Sequence, residues 1–290
     1  MNRWDSSVKW DTRIRPARGF FGLNIREIFR YRDLIGLLIR RNFKLTYKQT
    51  VLGPAWVVLQ PLLTTVVFTV VFGGIAKLPT DGMPSFLFYM AGNIAWQYFA
   101  TCLTQTSTTF ITNRHLFGKV YFPRLVMPIS VVCTQLINFF VQFLFFIVFL
   151  IWFGTRPGSA INPSPLLIAL TPLMLLQMAL LGLGFGIIVS ALTTKYRDLN
   201  MLVGFGVHLW MYATPVAYSS SLIRANYPSL TTVCMLNPMT PVIELFRSAY
   251  LGVEYTCGNY IYASWAITIA VLVIGVILFT RIERTFMDTL

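Results

Sequence analysis

RDLIGLLIRRNFKLTYKQTVLGPAWVVLQPL, residues 32–62, decides the fold. Up to Lys48 it carries five of the chain's bases, and from Gln49 on it has none. The change falls at Leu52-Gly53-Pro54: Lys48 is the last charge before it, and no other appears until Lys77. The residues beyond this junction read as membrane helices, and those before it as a basic apron on the cytoplasmic side.

The basic half has helical periodicity. At about 100° per residue Ile25, Ile28, Tyr31, Ile35, Ile39 and Phe43 share one face. Arg26, Arg30, Arg40, Arg41, Lys44 and Lys48 share the opposite one, while Arg32 and Leu37 fall on the wrong faces. Such a helix, expected over 25–49, lies in the membrane interface with its cations toward headgroups or an acidic partner. It serves as a polybasic anchor that fixes orientation, as a partner contact, or as both.

Working outward, 56% of the 290 residues are hydrophobic and 11% charged. A soluble domain carries roughly 25% charged residues, so this is an all-α polytopic membrane protein. The net charge of +13 has to be read by location. Twelve of the 23 Lys and Arg precede residue 51, which leaves no basic patch to track nucleic acid. Met1–Lys48 has no apolar core near its start, so no cleavable signal is expected. Cys102 and Cys133 fall inside apolar runs, Cys234 and Cys257 share one extramembrane segment where they can pair if it faces an oxidising compartment, and no His/Cys cluster suggests a metal.

Residues 1–24 read as a loosely ordered tail, and 25–290 as one transmembrane domain. Apolar runs long enough to span recur at about 55–76, 86–111, 125–153, 166–192, 199–219 and 260–280. With the N-terminus inside, 19 of the 23 bases are cytoplasmic; only Lys77, Arg156, Arg224 and Arg247 are outside. Both termini are therefore expected in the cytoplasm. The segment 220–258 is too polar to span, yet it holds a helix signature. Thr240 suits an N-cap, Pro241 the first helical position, Glu244 the dipole and Gly252 the stop. A short helix on or dipping into the outer leaflet is expected there.

The loop after the second run, Asn113-Arg114-His115-Leu116-Phe117-Gly118-Lys119-Val120-Tyr121-Phe122-Pro123-Arg124, mixes bases and aromatics. It reads either as a short helix docking in a partner's groove or as a turn obeying the positive-inside rule. With it, residues 32–62, Thr193–Leu199 (TTKYRDL), Trp210–Tyr218 (WMYATPVAY) and Asn237–Arg247 (NPMTPVIELFR) stand in an order that resembles the membrane subunit of ABC-type polysaccharide exporters. That family moves O-antigen, capsule and teichoic acid chains, and the likeness runs from about Asp33 to Arg247.

The resemblance implies a homodimer in the bacterial inner membrane, with two ATP-hydrolysing subunits on its cytoplasmic side. ATP and Mg would be bound by those partners, and this chain would hold no cofactor. It further implies that Asn113, Arg114, Leu116, Phe117, Lys119, Tyr121 and Arg124 form the helix that docks in the ATPase. By the same resemblance Arg40, Arg41, Lys44 and Lys48 belong to a gate helix meeting a lipid-linked pyrophosphate, and Thr240–Gly252 is an external re-entrant helix.

The residues agree with a transport subunit that takes its energy from elsewhere. No G-x-x-x-x-G-K-[ST] occurs, and Gly182-Leu-Gly184-Phe-Gly186 sits in an apolar run, where it serves helix packing or bending. No paired carboxylates or Ser/His/Asp arrangement is present to make it an enzyme. Polar stripes recur every four residues: Asn93, Gln97, Thr101, Gln105 and Thr109, then Ser130, Thr134, Asn138 and Gln142. Gly53, Trp56, Gln60 and Thr64 add a third. These either line a channel or serve as hydrogen-bonding glue between helices. Trp96, Tyr98, Phe99, Trp210, Tyr212 and Tyr218 are rings over which sugar faces can slide, or an interfacial belt. Lipid-linked polysaccharide is the expected cargo. An ABC permease for a small hydrophobic compound or lipid is the alternative, and a non-transporting scaffold a third reading.

Overall fold

The computed structural model describes residues 25–48, 50–113, 122–157, 160–193 and 198–285; among these all regular structure is helical. The basic segment forms two helices, α1 (Ile25–Arg30) and α2 (Arg32–Tyr47), rather than one over 25–49. Tyr31 breaks the run with ψ near 21°, and Lys48 is extended. The first apolar run is one rod: a 3-10 turn (Gly53–Ala55), α3 (Trp56–Phe68) and a π-helical end (Thr69–Ile75). Then come α4 (Ser85–Thr112), α5 (Val126–Gly154), the short α6 (Pro165–Ile168) and α7 (Thr171–Thr193). The chain continues with α8 (Leu199–Ala213), α9 (Ser220–Asn226), α10 (Pro228–Leu236), α11 (Met239–Leu251) and α12 (Tyr260–Thr285).

Among the described residues four segments are long and apolar enough to cross a membrane: Gly53–Ile75, Val126–Gly154, Pro165–Thr193 and Tyr260–Thr280. The chain is thus a polytopic membrane protein. Of the other two expected spans, α4 has the length, but its polar stripe dilutes its apolar character. The other, α8, has 15 residues, short of the roughly 20 a bilayer needs.

The glycine run sets how the bundle closes. A Cβ on Gly182 would lie 2.7 Å from Cys102 Cβ, and one on Gly186 2.5 Å from Thr106 Cβ. Both face α4, one turn apart. Gly184 points the other way, where a Cβ would lie 3.0 Å from Leu272 N, and Gly275 of α12 approaches Gly184 O equally closely. Helix α7 is therefore clamped between α4 and α12 at backbone-to-backbone range, which only small residues permit. The run is a packing device.

In α3, Pro61 lacks the N–H that would bond Val57 O. Gln142 Nε2 of α5 donates to that carbonyl at 3.1 Å, and Asn93 Nδ2 of α4 donates to Pro61 O at 3.2 Å. The proline thus opens one backbone acceptor in an apolar rod, which the Gln142 amide fills, while Asn93 tethers α4 to the next carbonyl along, that of Pro61 itself.

The expected fifth span, 199–219, stops short because Thr214 precedes Pro215 and is held extended, with ψ 143°. The turn after it leaves carbonyls inside the protein. Arg247 of α11, fully buried, satisfies them. Its Nη1 donates to Pro215 O (2.6 Å) and its Nη2 to Val216 O (2.6 Å). Its Nε reaches Phe88 O (3.3 Å), and Glu244 lies 3.6 Å away. Phe88 also stacks its ring on the guanidinium, 3.7 Å from its centroid. Gly92 makes room, since a Cβ there would sit 2.5 Å from Arg247 Nη2.

Arg247, counted above among the external bases, is thus a buried side chain. The short helix expected here is α11, and all its residues except Leu245 are buried, so it packs on protein along its length. It begins at Met239, and the Thr240 hydroxyl finds no partner; Asn237 Oδ1 instead accepts from Met239 N at 3.2 Å. Gly252 ends the helix as expected, with φ 81°.

Candidate functional site

The polar stripes converge on one trough. Its inner part, a cavity of about 260 Å³, lies between the end of α2, the start of α3, the middle of α4 and α5. Trp56 and Gln60 come from α3, Gln97, Tyr98, Thr101 and Gln105 from α4, and Gln135, Asn138, Phe139 and Gln142 from α5. Thr46, Tyr47 and Thr50 close it at the α2 end. A second cavity, about 270 Å³, shares Thr46, Gln105 and Gln135 with the first and reaches Arg41, Thr108, Thr112, Asn113 and Thr134. Together they make a continuous furrow down one side of the bundle.

Its chemistry depends on which groups are already engaged. Thr46, Thr50 and Thr101 donate their hydroxyl hydrogens to carbonyls of their own turns, so their oxygens face the trough as acceptors. Tyr47 Oη donates to Asn138 Oδ1 at 3.2 Å, and Asn138 Nδ2 donates to Gln135 Oε1 at 2.9 Å. Burial raises the Tyr47 phenol, and the Asn138 bond works against that rise. The side-chain amides of Gln60, Gln97 and Gln105 have no protein partner among the described residues. They are free donors and acceptors on an uncharged surface.

The basic helix docks on protein. Tyr31, Leu34, Ile35 and Leu38 of α2 pack on Phe122, Val126 and Met127 at the start of α5, and Ile28 packs near Phe110, Leu125, Ile187 and Phe279. Arg40, Lys44 and Lys48 stay exposed, while Arg41 Nη2 donates to Asn113 Oδ1 at 3.1 Å. One base of the expected gate helix therefore touches the first residue of the expected docking loop. Arg114, Leu116, Phe117, Lys119 and Tyr121 lie outside the described residues; Arg124 stands just before α5.

Of the expected channel-lining residues, Trp56, Gln60, Gln97, Tyr98, Thr101 and Asn138 meet in the inner cavity and Thr134 in the outer one. Trp96, Phe99 and Asn93 do not. Trp96 and Phe99 are buried among Trp210 and Phe185, with ring centroids 5.1–6.0 Å apart, so they pack the core of this chain. Asn93 is spent on Pro61 O. Tyr212 stands on the outer face of α8, 54% exposed and away from the trough. Sequence reasoning did not single out Thr46, Tyr47, Thr50 or Gln135. Their signal, polar residues directly before the first apolar run and one turn ahead of Asn138, is visible only once α2 is known to fold back onto α5.

The family described as ABC-2 type transporter matches residues 33–251, from the start of α2 to the end of α11. The chain belongs to that family. As an ABC-2 transporter domain it is a membrane transport subunit, so the trough is sited in a protein that moves solutes. Its curated relatives include two proteins of Klebsiella pneumoniae named O-antigen export system permease protein RfbA, each 28% identical. The first aligns over 263 residues, 89% of this chain and 95% of the relative. A protein of Myxococcus xanthus with the same name is 29% identical over 226 residues, 78% of this chain and 83% of the relative. The Asn113–Arg124 loop and the trough both fall inside the ABC-2 match.

Proposed function

We propose that this chain is the channel-forming membrane subunit of an ATP-driven exporter for a lipid-linked, O-antigen-like polysaccharide. The observation that carries the reading is the trough: amides and hydroxyls with few ionisable groups, in an ABC-2 protein whose curated relatives bear O-antigen export names. Sugar hydroxyls both donate and accept, so they exchange hydrogen bonds along such a wall, while Trp56 and Tyr98 offer ring faces.

ATP hydrolysis, with its Mg, belongs to a separate ABC ATPase chain, and the assembly is two permeases with two ATPases. The unpartnered apolar faces of the first rod (Leu63, Val67, Val70) and of α8 (Leu202, Phe205, Leu209) are available to lipid and to a second copy. In this reading α4 and α8 complete six spans with both termini cytoplasmic. Residues 25–290 act as one permease domain behind the 1–24 tail, and α11 is a re-entrant helix sheltered by protein. Arg40, Lys44 and Lys48 meet the anionic lipid headgroup at the cytoplasmic mouth, and the Asn113–Arg124 loop takes the thrust of the ATPase.

Deletion of the gene in its host, with fractionation of lipid-linked glycan afterwards, tests this. The expected result is polymer retained on the cytoplasmic side and a bare surface; a normal glycan coat would overturn it. The second reading, a permease for a hydrophobic compound, draws on an apolar groove of about 510 Å³ between α5 and α7, lined by Val132, Leu136, Phe140, Leu176 and Ala179. Export of such a compound with an unchanged coat would favour it.

A further inference from the structure

Resting on the exporter reading, we propose that the trough is a charge filter: it accepts glycan built of neutral sugars and disfavours chains bearing carboxylates or phosphodiesters. Fifteen described residues line the inner cavity, and none is Asp, Glu, Lys, Arg or His. Among the described residues the one base along the furrow, Arg41, lies in the outer cavity and is bonded to Asn113. A neutral pyranose loses only water hydrogen bonds on entering, and the free amides of Gln60, Gln97 and Gln105 replace them. A carboxylate or phosphate loses ionic hydration and meets no counter-charge, which is far more costly at membrane depth. Gln97, Thr101 and Gln105 stand about 6 Å apart along α4, one turn each, so successive sugars meet the same uncharged donors and acceptors. Selection is then by desolvation along the wall rather than by one binding residue.

Trp56 lines the same cavity and provides the readout. The purified permease with its ATPase, in nanodiscs, is titrated with a neutral mannose hexamer and with a galacturonate hexamer while Trp fluorescence is monitored. The Trp56→Phe protein assigns the signal to the trough. Saturable quenching is expected with the mannose hexamer alone. Gln97→Leu should weaken it about fivefold, ~1 kcal/mol, and Gln97→Lys should create saturable binding of the galacturonate. Because the Gln97 amide has no protein partner among the described residues, neither substitution removes a hydrogen bond, and an unchanged melting temperature verifies folding. Galacturonate binding the native protein as tightly as mannose would overturn the filter. So would a Gln97→Lys protein with unaltered preference, or no saturable quenching by either oligomer. Those failures leave the export reading standing, whereas a normal coat after gene deletion, with mannose still binding, would sink export alone.

Discussion

Arg247 shows how much one side chain can hold in place. It joins α11 to the carbonyls that Thr214-Pro215 releases at the end of α8 and to Phe88 O of α4, with Glu244 as its counter-ion. Arg247→Met leaves those acceptors unpaired and Glu244 charged and buried. The expected loss is about 3–5 kcal/mol, read as a fall in the detergent melting temperature. Gly92→Ala should lower it too, because the new methyl meets the guanidinium. A full-stability Arg247→Met protein would refute the role. Cys234 and Cys257 belong to the same scale. Both are free thiols, and Cys257 Sγ lies 3.3 Å from Met235 Sδ. Burial pushes both thiols up, so the thiolate is scarcer at pH 8 than in an ordinary cysteine and gains only at higher pH. Slow labelling by an impermeant maleimide at pH 8, accelerating on mild denaturation, is expected. Fast labelling of the folded protein would contradict it.

Among the elements, Pro61 in α3 gives the sharpest test. Gln142→Leu should cost about 1 kcal/mol, because Val57 O loses its donor. In a Pro61→Ala background the new backbone N–H takes over that carbonyl, and the same substitution should cost much less. Equal losses in both backgrounds would show that the amide acts elsewhere. The rods also show what could be read from the sequence. Hydropathy runs bounded by Gly and Pro placed the rods well: 55–76 against Gly53–Ile75, and 125–153 against Val126–Gly154. The period-four amide stripes located the trough, but periodicity does not tell a residue that faces solvent from one that bonds a neighbouring backbone. Asn93 and Gln97 share a stripe and have different fates for that reason. Arg247 was illegible because a lone base in a polar segment reads as solvated, and its partner Phe88 O lies 159 residues away.

At the scale of the whole molecule, the expected motion enters through the Asn113–Arg124 loop and leaves through the trough. The double substitution Phe117→Ala with Tyr121→Ala should abolish glycan export while membrane insertion and folding are preserved. Undiminished export by that protein would rule out the coupling role. Transmission to the trough is expected on the α2 side, where single hydrogen bonds, Arg41 to Asn113 and Tyr47 to Asn138, join the basic helix to the furrow beside its apolar seat on α5. The opposite side, where α7 is wedged between α4 and α12, has no slack for sliding. That wedge also bears on biogenesis. Gly184 cannot be covered until Gly275 has been synthesised and inserted, so the three-helix block closes only when the last rod enters the bilayer. Until then one flank of α7 shows bare backbone to lipid. A chain arrested before Tyr260 is expected to be cleared by membrane proteases faster than the full chain in a pulse–chase, which makes the final helix the step that commits the protein to survival.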